Sequence, residues 1–535
     1  MMAIRYKNEI IIIDAGMMIP DAEMLGIKKI IPNFKYLKKN KKLIKGLVIT
    51  HAHEDHIGAL PYLFQEINTP IYATKLTLGL ARNRLKYKNL ANQTNFIEIK
   101  PKEKIKIGTA FEIEPISVCH SIPDSVALAI KTDVGTIIHS GDFRIDPTPV
   151  DNVKTDLNRF KELGKKKVLL LMSDSTNANL NGKSSSEKDV GKFFLSVFKK
   201  AKSKIIVSSF SSHIHRIQMV INAAEKLNKK VSIVGKSMVD TVNIALKLGY
   251  INFPPNTKIP AEQISRYQPN ELVILTTGTQ GELNSALCRL SENDYRDLKI
   301  NKGDTVIISA HAIPGNEKFV NKTIDNLFRR GADVYYDINE NIHISGHAFK
   351  NDQKLLLNLV KPKFFVPIHG DYRHLLCHTK TALEAHVKKE NIFIMENGDI
   401  LEILETGQKA HIAGKMGSSS KLIDGISFVE PNNKIIGQRK DLSRNGTLAV
   451  SCLYNKISFE VIESPKITSW GLIYDEEKQL IEDLPEFITA KFSQATKTEG
   501  FDQKNIEKKL KENISNYIYN KLKRRPVICL LFQAI

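Results

Sequence analysis

Cysteine is scarce and unpaired in this 535-residue chain. The five cysteines, Cys119, Cys288, Cys377, Cys452 and Cys529, lie far apart, odd in number and without a CxxC pair. That argues against a disulfide framework and fits a reducing compartment, the cytoplasm. Long hydrophobic runs are missing too. No stretch approaches the ~18 apolar residues of a transmembrane helix, so no membrane span is expected. No small-residue cleavage site follows the N-terminal Ile run, and a secretory signal is not expected. Internal repeats and long low-complexity tracts are absent. Acidic residues are the minority: 58 Asp and Glu against 78 Lys and Arg give +20 at pH 7. Such a surplus favours a polyanionic partner, nucleic acid or an anionic surface, although a Lys-rich proteome produces it equally. With 42% hydrophobic and 25% charged residues the chain reads as globular. Its length suggests roughly three or four domains.

What the first 370 residues do contain is short β-branched runs that stop at polar turn residues. Ile10–Ile13 ends at Asp14, Leu47–Ile49 at Thr50-His51, and Ile137-Ile138 at His139-Ser140-Gly141-Asp142. Val168–Met172, Ile205–Val207, Leu272–Leu275, Val306–Ile308 and Phe364–Val366 follow the same rule. They read as buried strands. Helical patterns at Gly191–Lys200, Ile214–Leu227 and Gln353–Val360 separate several of them. Alternation of this kind predicts an α/β architecture with ligands beyond the strand ends, where the polar residues sit. After a Gly/Ser/Lys linker at Lys415–Ser420, a small α+β domain is expected. It has strands at Gly446–Leu453 and Lys456–Ile462, a basic amphipathic helix over about Asn505–Lys523, and an apolar run at Val527–Phe532.

The strongest chemical signal is His51-Ala52-His53-Glu54-Asp55-His56, directly after a strand. Spacings of two, four and five cannot share one helical face, but they converge on a strand-to-helix loop. Two imidazoles followed by a carboxylate–imidazole pair suit Zn²⁺, with Mn²⁺ as an alternative. The competing reading, a solvated His-rich loop, suits an isolated HxH better than this complete pattern.

The hexapeptide resembles the signature of the metallo-β-lactamase superfamily. Asp14 in Ile12-Ile13-Asp14-Ala15-Gly16, His120 in Cys119-His120-Ser121, Asp142 in Ser140-Gly141-Asp142 and His369 in Pro367-Ile368-His369-Gly370 resemble its other motifs. Ser173-Asp174-Ser175-Thr176-Asn177, Ile344-Ser345-Gly346-His347 and His369 resemble motifs A, B and C of the nucleic-acid-processing β-CASP branch. Thr277–Glu282, Ile313-Pro314-Gly315-Asn316-Glu317 and His215-Arg216-Ile217-Gln218 narrow the likeness to the bacterial ribonuclease J family. The resemblance implies an αββα metallo-β-lactamase sandwich in two parts, 1–178 and 341–412. A β-CASP insertion at 179–340, a linker at 413–428 and a C-terminal α+β oligomerisation domain at 429–535 complete it. It implies two Zn²⁺ ions, or Mn²⁺ or Mg²⁺ in their place. One would be held by His51, His53 and His120, the other by Asp55, His56 and His369, with Asp142 between them. His347 would contact the scissile phosphate and support the leaving 3′-oxygen, while Asp14 and Asp174 orient ligands. The implied activity is endonucleolytic and 5′-to-3′ exonucleolytic cleavage of RNA, leaving 5′-phosphate and 3′-hydroxyl ends, in rRNA processing and mRNA decay. The implied partners are single-stranded, 5′-monophosphorylated RNA and further copies of the chain, as homodimer or homotetramer, alone or with a paralogue.

Ser209, Ser211 and Ser212, with His215 and Arg216 at the following helix start, offer phosphate-binding chemistry. Gly278 and Gln280 in one neighbouring loop, the Ser309–Gly315 loop, and Ser345, Gly346 and His347 extend it. Ordinary turn chemistry is the alternative for any one of these loops. His213 and His215 form an HxH with no carboxylate pair after it and are expected to be metal-free. His139 is a supporting or a core residue, Cys119 adjoins His120, and His311, His343, His374, His378, His386 and His411 carry no motif of their own. Only nine residues precede the Ile10–Ile13 run, where the family has a Gly-rich segment and a strand, so that strand and its loop are expected to be missing. Two rival functions remain: a small-molecule metallo-hydrolase of the same fold, and a non-catalytic scaffold of an RNA-degrading assembly. The motif set speaks against the first.

Overall fold

A computed structural model describes the chain except residues 22, 283, 296–297, 314, 337–341, 418–419, 432 and 500–502, and the side chains at 498, 499 and 503. Pro314, Ser418, Ser419 and the expected boundary at 340 therefore lie outside the described residues. The chain forms two units: Met1–Ile19 with Lys29–Lys421, and Pro20–Lys28 with Leu422–Ile535.

In the larger unit, continuous β-branched runs form strands because both faces are covered. One sheet has the order Met2–Tyr6, Glu9–Ile13, Ile44–Val48, Ile71–Ala73, Phe96–Glu98. The second runs Phe364–Ile368, Val168–Asp174, Thr136–His139, Val126–Lys131, Phe111–Ser117, Ile105–Ile107. Ile11, Ile13 and Val48 of the first meet Ile113, Leu128 and Leu170 of the second in one core. The second sheet's other face packs on Leu157–Lys165 and Lys350–Val360 through Phe160, Leu163, Leu356 and Leu357. This is the expected αββα sandwich.

A strand does precede the Ile10–Ile13 run, which corrects the expectation of a bare margin there. Met2–Tyr6 pairs antiparallel with Glu9–Ile13 across a two-residue turn at Lys7-Asn8, where Lys7 has φ 52°. Its alternate residues Met2, Ile4 and Tyr6 pack on the core.

Between the sandwich strands at 168–174 and 364–368 lies a parallel six-stranded sheet. Its order is Lys258–Ile259, Lys230–Val234, Leu272–Thr276, Ile205–Ser208, Thr305–Ile308, Asp333–Tyr335. The loops after its three adjacent strands 272–276, 205–208 and 305–308 share one end of the sheet, where ligands of parallel sheets bind.

In the smaller unit, Thr447–Tyr454 is flanked by Lys466–Trp470 and Val527–Ala534. The helices Lys478–Glu499 and Gln503–Leu522 cover one face through Leu484, Ile488, Ile514 and Ile518. The strand expected at Lys456–Ile462 is instead a turn. Asn455 Oδ1 accepts from the amides of Ile457 and Ser458, and Phe459 takes φ 55°. Local side-chain bonding of this kind competes with a ladder. No helix of the described residues is long and apolar enough to cross a membrane.

Candidate metal centre

Four strand ends bring the candidate ligands together. Thr50 and His51 follow Ile44–Val48, and His53 opens the short helix Glu54–Ile57 that carries Asp55 and His56. His120 follows Phe111–Ser117, Asp142 follows Thr136–His139, and His369 follows Phe364–Ile368. The donor atoms of His51, His53 and His120 converge, as do those of Asp55, His56, Asp142 and His369. A third grouping joins Asp142 and His369 to Asp174 and His347.

The tautomers follow from what each ring's other nitrogen meets. His120 Nδ1–H donates to the Gly346 carbonyl at 2.8 Å, which leaves Nε2 as the free lone pair. His56 Nδ1 lies 2.8 Å from Asp14 Oδ2, and His51 Nδ1 lies 3.1 Å from Thr50 Oγ1. His369 Nδ1 lies 2.8 Å from Thr176 Oγ1. All four thus aim Nε2 inward. His53 alone presents Nδ1, which lies 3.1 Å from His51 Nε2 and 3.0 Å from His120 Nε2. Neighbouring nitrogens of a tetrahedral Zn²⁺ site, with bonds of 2.0–2.1 Å, are about 3.3 Å apart. The trio is close to that spacing.

Asp142 Oδ2 faces both halves: 3.2 Å from His56 Nε2, 3.5 Å from His369 Nε2, 3.6 Å from His51 Nε2 and 3.9 Å from His120 Nε2. His56 Nε2 is buried and makes no hydrogen bond. A converging donor set with one orphaned nitrogen at its middle fits a cation. Burial holds His51, His53 and His120 below their ordinary pKa, His53 to about 4, so these rings are neutral and able to ligate. In the other half, carboxylates overcome burial. Asp142, Asp55 and Asp14 raise His56 to about 10, and Asp142 with Asp174 and Asp55 raises His369.

Supporting residues hold these rings. Asp14, at φ 55°, also accepts from Thr50 N at 2.8 Å and Thr50 Oγ1 at 2.9 Å. Asp174 Oδ2 pairs with His347 Nδ1 at 2.8 Å, while its Oδ1 accepts from Thr176 N and Oγ1. His347 therefore presents Nε2, and its ring centre lies 5.0 Å from that of His120. Gly346 allows this approach, since a Cβ there would come within 2.7 Å of the His120 ring.

The expected RNA-handling residues divide. Ser209, Ser211 and Ser212 lie in the loop after Ile205–Ser208, and Gly278, at φ 114°, lies in the next loop. Ser345 Oγ accepts from Asn177 Nδ2 at 2.8 Å. Gln280, Arg216 and His215 face protein groups instead. The Gln280 amide bridges the His311 carbonyl and the Ile313 amide. Arg216 is fully buried and donates to Glu187, Ser309 and His343. His215 Nε2 lies 3.1 Å from Asp151. His213 is the unforeseen neighbour of the centre. Its ring lies 6.2 Å from His53 and stacks at 5.7 Å on His343, which meets His311 at 4.6 Å. Their separate positions in sequence carried no signal of this row.

The chain matches the metallo-beta-lactamase superfamily over 1–169 and the ribonuclease J beta-CASP domain over 202–327. It also matches the Zn-dependent metallo-hydrolase RNA specificity domain over 331–395 and the ribonuclease J C-terminal domain over 434–535. Ribonuclease J of Helicobacter pylori is 41% identical over 99% of this chain and 76% of its own length. The chain belongs to the ribonuclease J family. Ribonuclease J of Synechocystis is 36% identical over 99% of this chain and 83% of its own. Ribonuclease J2 of Bacillus subtilis is 35% identical over 99% and 95%. The candidate ligands at 51–56, 120, 142 and 369 all fall within the metallo-hydrolase matches.

Proposed function

We propose that this metal-dependent ribonuclease cleaves single-stranded RNA both internally and stepwise from a 5′-monophosphorylated end, leaving 5′-phosphate and 3′-hydroxyl products. The observation that carries the reading is Asp142 Oδ2, placed between the inward nitrogens of His51 and His120 on one side and His56 and His369 on the other. Such a carboxylate suits two cations, Zn²⁺ by donor chemistry, with Mn²⁺ or Mg²⁺ as substitutes. When bound, a cation pair lowers the pKa of a water and offsets phosphate charge. Asp174 holds the Nδ1–H of His347, so that Nε2 is aimed to contact the scissile phosphate and to hold a proton for the leaving 3′-oxygen. Asp14 does the corresponding work for His56, fixing its tautomer from outside the ligand shell. The half-buried Ser211 and Ser212 follow strand Ile205–Ser208, which pairs with Leu272–Thr276 ahead of Gly278, and such loop hydroxyl and backbone N–H groups suit phosphate contacts. The surplus of +20 draws the polyanion to the protein.

In the smaller unit, Trp470 and Leu531 are 76% and 68% exposed, which supports a role in dimer or tetramer formation. Five free cysteines suit the cytoplasm. The test is cleavage of a 5′-monophosphorylated RNA with Zn²⁺ or Mn²⁺, comparing wild type, His53→Ala and His347→Ala. Wild type is expected to cleave and both variants to fail. Full activity in His53→Ala would remove the metal assignment, and an inert wild type would remove the function.

A further inference from the structure

Segment 343–347 carries His347 without belonging to a helix or a strand. Irregular backbone is held by the side chains that reach it, and here two arginines do so, Arg144 at a main-chain carbonyl and Arg216 at a side chain of the segment. Arg144, two residues beyond Asp142, donates to the Ser345 carbonyl at 3.4 Å. Arg216, on the helix Ile214–Glu225, donates to His343 Nδ1 at 2.8 Å and to the Ser309 carbonyl at 3.0 Å. Between them lies Glu187, whose Oε2 accepts from Arg144 at 2.9 Å and whose Oε1 accepts from Arg216 at 2.8 Å. All three side chains are buried, and Asp146, 3.4 Å from Arg144, supplies the second carboxylate. The cluster is neutral only with Glu187 ionised. Burial opposes that charge, but Arg216 and Arg144 hold its carboxyl down to about 2.

We infer that Glu187 is a positioning residue for RNA cleavage: by tying Arg144 to Arg216 it holds segment 343–347, and so His347, against the metal centre. The inference rests on the reading of His347 as support for the leaving 3′-oxygen. Glu187 touches neither a ligand side chain nor the cleft, so its effect should fall on the chemical step and spare RNA binding.

The test uses two RNAs, one with an ordinary scissile linkage and one in which sulfur replaces the bridging 3′-oxygen. A thiolate leaves without a proton donor, so the proton His347 holds matters only to the first, while its contact to the phosphate matters to both. Glu187→Gln is expected to lower kcat on the ordinary RNA by about 100-fold, the loss typical of a 1 Å misplacement, with KM and metal content unchanged. On the sulfur-substituted RNA the loss should be much smaller. Arg216→Lys keeps the charge but lacks the fork that reaches Glu187 and His343 together. It should show the same selective defect and stands in if Glu187→Gln does not fold. His347→Ala is the reference. If it slows both RNAs alike, the leaving-group reading of His347 is wrong and the inference falls with it. If it shows the selective defect while Glu187→Gln and Arg216→Lys slow both RNAs equally, or neither, the positioning role alone is overturned.

Discussion

Gly16 shows how closely the ligand helix is held, and Gly16→Ala should dislodge it. Residues Ala15–Met17 lie along the Glu54–Ile57 turn. Ala15 N donates to the His56 carbonyl at 2.7 Å, Met17 N to the Glu54 carbonyl at 3.1 Å, and Ala59 N to the Ala15 carbonyl at 2.8 Å. A Cβ at position 16 would overlap the Asp55 carbonyl and lie 2.7 Å from the His56 amide nitrogen. Ordinary heavy-atom contact is about 3.5–4.0 Å, so relieving the overlap with the Asp55 carbonyl requires the turn to retreat by about 2 Å. Both obstacles are backbone, which cannot swing aside as a side chain does. Asp55 and His56 travel with the turn, whereas metal sites tolerate only about ±0.2 Å in ligand distance. The expected outcome is a fall in RNA cleavage of about 100-fold or more, with loss of the ion proposed for Asp55, His56 and His369. The ion at His51, His53 and His120 should remain. Elemental analysis beside a cleavage time course reads both quantities, and circular dichroism checks the fold. A Gly16→Ala protein with full metal content and wild-type cleavage would refute the claim that this contact sets the ligand geometry.

Asp14→Asn places an amide where His56 Nδ1–H and Thr50 Oγ1 now find carboxylate oxygens. Metal affinity should fall about 10- to 100-fold in a chelator competition, and unchanged affinity would contradict the orienting role. The Glu187 carboxyl is depressed from its ordinary 4.5 to about 2, so it contributes stability above about pH 4.5 that is lost as pH falls through about 2. That contribution is about 3 kcal/mol at neutral pH, and acid unfolding of Glu187→Gln should be correspondingly less steep across that window. Parallel curves for the two proteins would show that the buried arginines do not depend on this charge.

Much of the centre was legible because its chemistry is local. His51, His53, Asp55 and His56 fall within six residues at a strand end, and Asp142 and His369 follow runs that read as buried strands, whereas His120 came only through the resemblance, because Glu and Pro interrupt the apolar pattern of Phe111–Ser117. The β-branched runs likewise predicted an α/β architecture, while the sandwich and its inserted domain came from the resemblance. What stayed hidden depends on residues far apart in the chain. Glu187 has no motif of its own, and its meaning comes from Arg144 and Arg216 arriving on separate elements. Arg216 and Gln280 read as phosphate contacts until their partners, Glu187 and the 311–313 loop, were visible. In the smaller unit, Lys456–Ile462 alternates like a strand, but Asn455 captures its amides and the pairing passes to Lys466–Trp470. The helix Lys478–Glu499 went unassigned, with Pro485 interrupting its first turns.

The central claim is that one carboxylate, Asp142, lies between two cations. Anomalous diffraction at the zinc edge, on crystals of the zinc-loaded protein, tests it most directly. The account predicts two peaks about 3.5–4 Å apart, one against His51, His53 and His120, the other against Asp55, His56 and His369, with Asp142 between. A single peak, or a pair that Asp142 does not touch, would contradict it.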